Sequence, residues 1–391
     1  MTESNLGKTE IEDAKLPRRD IILLPLIILL TVLVCFLATE VVARHYFAQG
    51  AEGNCLVRDA QIGYRFKSHC TMRQKIAESP WITYQFNECG YRSKEPCGPK
   101  PPGTTRIVLL GSSTAEGYLV NYDETFAVRA QRRLAQDYGH PFEIQNLGRE
   151  ECFPICVSKR MDEAMQLRPD LLVLALSPVD IQHLDPAEMQ DRDKPMAPLG
   201  NPDMAPVKIS ALKKVQVFLS QSYAVTAIQY FLYQNASTFI RLYLHGGDST
   251  AYIRTPLSPA WMKRFDAFDL LLGEMTQRAR TAQVPLVVME MPSLAQGSLL
   301  SMDKQPQGVD AGVFDAELKR IAASHGVQFI DVLDAFQHGP KANRLFYVIN
   351  GHVNGAGSAL ASDALVEQLE QQQSPTLAGH SQTQDALERG R

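Results

Sequence analysis

"RIVLLGSSTAEGYLV", Arg106 to Val120, decides how the rest of the chain is read. An apolar, β-branched strand core stops at Gly111 and gives way to Ser112 and Ser113, with Gly117 four residues after the second Ser. A strand that ends at a Gly and turns directly into a helix puts its next side chains at the carboxyl edge of a sheet, where open α/β sheets keep their ligands. Ser113 is therefore read either as a nucleophile or as a helix cap, since Ser is a favoured capping residue.

Outward from this stretch the pattern alternates. After the linker "GPKPPGTT" come strand "RIVLL", a helix from about Glu124 to Asp137, strand "FEIQNLG", a helix from about Ser158 to Leu167 and strand "DLLVLAL". The rhythm resumes with a helix from about Pro259 to Ala282, "PLVVMEM", a helix from about Gly312 to Ser324, "VQFIDV" and a last helix from about Ala356 to Gln371. Strands alternating with helices predict a parallel sheet covered on both faces, here a flavodoxin-like three-layer α/β sandwich over residues 103–371. A long insertion, residues 180–257, interrupts it. Its middle is helical by the spacing of Leu212, Val215, Leu219, Tyr230, Phe231 and Tyr233, without Pro or Gly, and is expected to pack on the core, to line a substrate groove or to lie on a membrane surface. The polar tail 372–391 has no periodicity and is expected to be disordered.

Before the sandwich, "IILLPLIILLTVLVCFLAT", Ile21 to Thr39, is an uncharged run of the length a bilayer-spanning helix needs. Residues 21–43 are read as one transmembrane helix. Lys15, Arg18 and Arg19 precede it, so the positive-inside rule leaves residues 1–20 in the cytoplasm and the main domain extracytoplasmic, periplasmic in a bacterium. A cleaved signal peptide is the competing reading, disfavoured by the acidic residues Glu10, Glu12 and Asp13 and by the length of the run. Six of the 7 cysteines follow the span, between Cys55 and Cys156. In an oxidising compartment they are expected to pair as sequence neighbours, Cys55 with Cys70, Cys89 with Cys97 and Cys152 with Cys156, the first two within a small β-rich lead-in over residues 52–102. With a net charge of -4 and no basic stripe, nucleic acid is not an expected partner.

"GSSTAEG", Gly111 to Gly117, resembles the first block of the SGNH/GDSL hydrolase superfamily, in which the Ser is the nucleophile. Further blocks follow in order. "NLG", Asn146 to Gly148, resembles the second, whose Gly N–H serves the oxyanion hole, and "NGHVNGAG", Asn350 to Gly357, resembles the fifth, where a His completes the site. The lead-in "IGYRFK" and "NECGYRS" is similar to that of membrane-anchored members. The resemblance covers roughly Asp59 to Gln371 and implies Ser113 as nucleophile, His352 as general base and the N–H groups of Ser113 and Gly148 as oxyanion hole. Neither a cofactor nor a metal is needed for that mechanism.

Two positions depart from the family pattern. "SPVD", Ser177 to Asp180, has Val179 where the family has its oxyanion-hole Asn, and the fifth block's Asp is missing, with Asn350 two residues and Ile349 three residues before His352. Losing one oxyanion donor costs on the order of 10² to 10³ in rate. An Asn can orient the imidazole but cannot stabilise the imidazolium by charge. Glu116 is read as setting its turn and Asp180 as capping the next segment. The expected activity is cleavage of an O-acyl ester in a small molecule or glycan. The alternatives are acetyl transfer to a cell-surface polysaccharide from a membrane acyl-donor protein, and a degenerate fold that binds a glycan or scaffolds an envelope complex.

Overall fold

The computed structural model describes residues 18–196 and 221–371. The chain starts in helix α1 (Arg18–Phe47), long and apolar enough to cross a membrane and exposed along its whole apolar length. A helix that is apolar all round needs either a protein core or lipid around it. Its far end meets the body: Lys75 Nζ donates to the Tyr46 carbonyl (2.9 Å), and Glu40 Oε2 accepts from Ser222 Oγ (2.8 Å) and the Ala224 N–H (2.9 Å).

Next comes the lead-in, with strands β1 (Gly50–Glu52), β2 (Leu56–Asp59), β3 (Gly63–Phe66), β4 (Thr71–Lys75) and β5 (Ile82–Gln85). They form an antiparallel sheet ordered β1-β4-β5 and a separate hairpin, β2-β3. All three expected cysteine pairs are bonded. A small β unit buries too little apolar surface to hold itself together, and such staples offset that shortfall.

The quoted stretch forms β6 (Thr105–Gly111), every residue of which is buried. It lies inside a parallel sheet of β7 (Phe142–Asn146), β8 (Leu171–Leu176), β9 (Leu286–Glu290) and β10 (Gln328–Asp331), in the order β10-β9-β8-β6-β7. That is the flavodoxin-like order, and its direction reverses between β6 and β8, where such folds open a crevice at the carboxyl ends of the strands. Arg106 is out of place in a buried strand until its partners are considered. It is 1% exposed, ion-pairs with Glu143 on β7 and donates to the Leu167 carbonyl (2.7 Å), so its charge is paired at the end of the sheet away from the crevice.

Helices cover both faces: α3 (Phe126–Tyr138) packs on the last helix, Gly355–Gln371, while Pro259–Thr281 packs across the other face. Three expected helices differ in detail. The one placed at Glu124 starts at Phe126, because the Thr125 hydroxyl accepts the Val128 N–H and caps it. The one placed at Ser158 is two short helices, α4 (Pro154–Lys159) and α5 (Met161–Gln166), meeting at Arg160, whose buried side chain turns back to the Leu147 carbonyl. Within the insertion, α6 (Pro178–Gln182) is followed by α7 (Tyr223–Tyr233) and α8 (Ala236–Tyr243). The Asn235 side chain accepts the Thr238 N–H (2.9 Å) and restarts the helix where the sequence predicts one continuous run. Leu212, Val215 and Leu219, the tail 372–391 and residues 1–17 lie outside the described residues.

At the carboxyl end of β9, Glu290 and Asp315 face each other in the core, Glu290 fully buried. Burial pushes both groups above the usual carboxylate range and the Asp315 carboxyl adds to the rise at Glu290, an arrangement that fits one shared proton. Carboxyls raised in the folded state contribute stability at low pH that is lost as pH rises through their folded values. Glu290→Gln is therefore expected to raise the Tm at about pH 8 by the equivalent of on the order of 1 kcal/mol, and to flatten its decline from about pH 5. A variant whose Tm falls with pH as steeply as that of the wild type would remove the pair as the cause.

Candidate active site

Ser113 opens the short helix α2 (Ser113–Glu116) directly beyond β6. The cap position belongs to Ser112, and even that hydroxyl makes no capping bond. Ser113 Oγ instead lies 2.8 Å from His352 Nε2. Two glycines permit the turn. A Cβ on Gly111, whose φ is +148°, would meet the Ala175 carbonyl oxygen at 2.2 Å, and one on Gly148 would meet the Glu116 nitrogen at 2.3 Å, so the β6 exit and the loop after β7 close onto the nucleophile turn only without side chains.

His352 reaches the same point from the loop before the last helix. The loop is closed by Gly351 N–H to the Tyr347 carbonyl (2.6 Å) and Tyr347 N–H to the His352 carbonyl (2.9 Å). His352 Nδ1 lies 2.5 Å from Asn350 Oδ1. An amide oxygen only accepts, so Nδ1 carries the proton and Nε2 presents its lone pair to the Ser113 hydroxyl. On the other side the Tyr118 ring packs 4.9 Å from the imidazole, and Gln74 of β4 donates to the Tyr118 hydroxyl at 3.1 Å. Burial pushes the His352 imidazole down to about 4. It is thus neutral near pH 7 and competent as a base, and the stability linked to it is lost as pH falls from the ordinary His value toward about 4. The rate of Ser113 modification by a fluorophosphonate is expected to be flat between about pH 6 and 8 and to fall as His352 gains its proton near pH 4. A midpoint near the ordinary His value would show an open, solvated imidazole.

Ser113 and His352 border a cavity of about 270 Å³ whose wall is largely apolar, with Tyr233, Phe239 and Tyr243 of the insertion on one side and Asn350 on another. The insertion therefore lines the groove as well as packing on the body. Gly148 is placed differently from its expected role. It does not border the cavity, and its N–H donates to Asn146 Oδ1 at 2.8 Å, so what the structure shows for it is the close approach to α2. Val179 does line the cavity, 49% exposed, and offers no donor. Nor does the Ser177 hydroxyl replace it, because it donates to Asp180 Oδ2 (2.7 Å) in a capping box on α6. Asp180 thus caps as read, and Glu116 sets its turn by accepting the Glu150 N–H at 2.7 Å.

Sequence reasoning missed the groups that hold this turn from the lead-in. Arg92, 2% exposed, donates to the carbonyls of Glu116 (2.9 Å), Gly117 (2.6 Å) and Val120 (2.6 Å), with its guanidinium over the Tyr84 ring. No local pattern marks an Arg that acts across the fold. The aromatic wall had a signal, the run of Tyr and Phe in "YFLYQNASTFIRLYL", but helical spacing alone reads equally as core.

No curated protein matches the chain. Among solved structures it is similar to the lipase Lip_vut3 from a goat rumen metagenome (10% identity, covering 67% of this chain and 95% of that one, TM-score 0.37). It is similar also to the lipase/acylhydrolase from Enterococcus faecalis (13% identity, 68% and 96%, TM-score 0.38) and to the acetyl xylan esterase AlAXEase (11% identity, 68% and 99%, TM-score 0.38). The profile of the GDSL-like Lipase/Acylhydrolase family matches residues 109–360, which span the strand before Ser113, both departures and the His352 loop. The chain belongs to the GDSL-like lipase/acylhydrolase family.

Proposed function

We propose that this protein is a membrane-anchored, extracytoplasmic serine esterase that cleaves O-acyl esters through an acyl-enzyme on Ser113. The observation that carries the reading is the chain Ser113 Oγ, His352 Nε2, His352 Nδ1, Asn350 Oδ1 at the edge of an apolar cavity. Ser113 Oγ attacks the ester carbonyl as His352 Nε2 takes its proton, and the N–H of Ser113, which its helix leaves unused, faces the developing oxyanion. His352 returns the proton to the leaving alcohol. Water, deprotonated by the same nitrogen, then attacks the acyl-serine and releases the acid. Gly148 joins the oxyanion hole only by giving up its bond to Asn146.

The aromatic rings of the insertion, Tyr233, Phe239, Tyr243 and Tyr252, suit the apolar face of a sugar, so an acylated glycan is the substrate class we favour. Acetyl transfer to a surface polysaccharide uses the same acyl-serine, with a sugar hydroxyl in place of water and a membrane acyl-donor protein as partner. The full-length protein in detergent, incubated with acetylated xylan, is expected to release free acetate, and Ser113→Ala is expected to release none. Acetate recovered only on an added xylo-oligosaccharide would make it a transferase. Retention of the glycan without any acyl release would make it a binding protein. Alkaline phosphatase fused after Gln371 should be active in bacterial cells and the same reporter fused after Arg19 inactive, and the reverse pattern would refute the topology.

A further inference from the structure

We propose that Glu78, in the lead-in, is the positioning residue for the base loop and supplies from outside it the negative charge that Asn350 lacks. The inference rests on the esterase reading above. Glu78 lies before residues 109–360, outside the match to the family, and is in none of the motifs that carry the resemblance.

The geometry begins with a tight turn after β4. Ser79 N–H donates to the Ile76 carbonyl (2.9 Å), and the Ser79 hydroxyl accepts the Ile76 N–H (3.0 Å). Between them Ala77, 2% exposed, is held at a φ of +45°, a left-handed conformation that a residue with a Cβ adopts only when its surroundings impose it. The turn aims Glu78 at the catalytic loop. Its Oε1 accepts the Ile349 N–H at 2.7 Å, and the carboxyl also faces the Asn350 N–H. Its Oε2 is buried and has no hydrogen-bond partner among the described residues. Tyr347, on the same loop, has its hydroxyl pushed up to about 12 by burial and by the charges of Glu124 and Glu78, and no Lys or Arg among the described residues neutralises Glu78.

A buried carboxyl with one oxygen unpaired is costly to keep if it only braces a loop, because an amide of the same shape would accept the Ile349 N–H as well. Its charge has a use one residue away. Glu78 fixes the peptide from which the Asn350 side chain reaches Nδ1. The carboxylate and the imidazole-orienting oxygen, joined in one Asp in the family pattern, are here divided between two residues from two parts of the chain.

The test uses the full-length protein in detergent and the second-order rate of fluorophosphonate labelling between pH 4 and 8. Glu78→Gln keeps the shape and an acceptor oxygen. It is expected to label about 10- to 100-fold more slowly, as losses of supporting partners around reactive groups typically are. Burial holds the Glu78 carboxyl above the ordinary Glu value, so the difference between Glu78→Gln and wild type should be largest toward pH 8 and fade as the pH falls to 4. Asn350→Asp should speed labelling far more in the Glu78→Gln background, where it recovers most of the loss, than in the wild type, a coupling that a purely structural brace would not give. Glu78→Asp, which keeps the charge and withdraws it slightly, should fall between Glu78→Gln and wild type, and carries the test if Glu78→Gln does not fold. A wild-type rate at every pH in both Glu78 variants, or an equal effect of Asn350→Asp in both backgrounds, overturns the proposal while the esterase reading stands. A folded wild type that never labels overturns both.

Discussion

Ser113→Ala is expected to abolish fluorophosphonate labelling outright and to lower ester hydrolysis by on the order of 10⁴, with His352→Ala close behind. The size of the drop carries information. A complete serine triad contributes on the order of 10⁶ in kcat, and replacing its Asp by Asn removes on the order of 10⁴ of that. An unaided Ser113–His352–Asn350 chain would then be worth only about 10², and Ser113→Ala would cost no more than that. A loss near 10⁴ means that the imidazolium is stabilised from elsewhere, and Glu78 is the carboxyl placed to do so. Hydrolysis by Ser113→Ala at the wild-type rate, measured on p-nitrophenyl acetate, would remove Ser113 as nucleophile.

Arg92→Met is expected to be the most damaging single change outside the Ser113–His352 pair. The substitution strips the carbonyls of Glu116, Gly117 and Val120 of their donor in a site that water does not reach. Each buried acceptor left without a partner costs about 1–3 kcal/mol, so a loss of roughly 3–5 kcal/mol and a Tm lower by roughly 6–10 °C are expected even though Met fills much of the volume. The nucleophile turn loosens with it, and labelling should fall in whatever fraction remains folded. Thermal melts of wild type and variant in the same detergent decide it. An unchanged Tm would show the lead-in to be an independent appendage, and the expected result makes it part of the catalytic platform.

Much of this was legible in the chain because it is local. The apolar run ending at Gly111, the βαβ alternation, the neighbouring cysteine pairs and the long apolar helix are each written in consecutive residues with a period of their own. Ser113 and His352 were legible for a second reason. Both stand at turns that begin a helix beside a sheet edge, a place that sequence order and strand polarity fix together. Where the structure adds detail to that reading, short side-chain bonds within two or three residues set it. Asn235 accepts the Thr238 N–H and divides the insertion helix, and Asn146 accepts the Gly148 N–H.

The sequence by itself determined the class of fold, the strand that carries the nucleophile, the pairing of the cysteines and the absence of the family's Asn and Asp at their usual positions. Only the tertiary structure decided which groups surround Ser113 and His352: Arg92 on the turn, Tyr118 on the imidazole, the insertion's aromatic wall, and Glu78 against Ile349, 271 positions away in the chain. The reason is physical. Periodicity and capping follow from backbone geometry within a few residues. A buried charge finds its partner wherever the fold has left a carbonyl or an N–H unpaired, and no pattern in consecutive residues encodes that meeting.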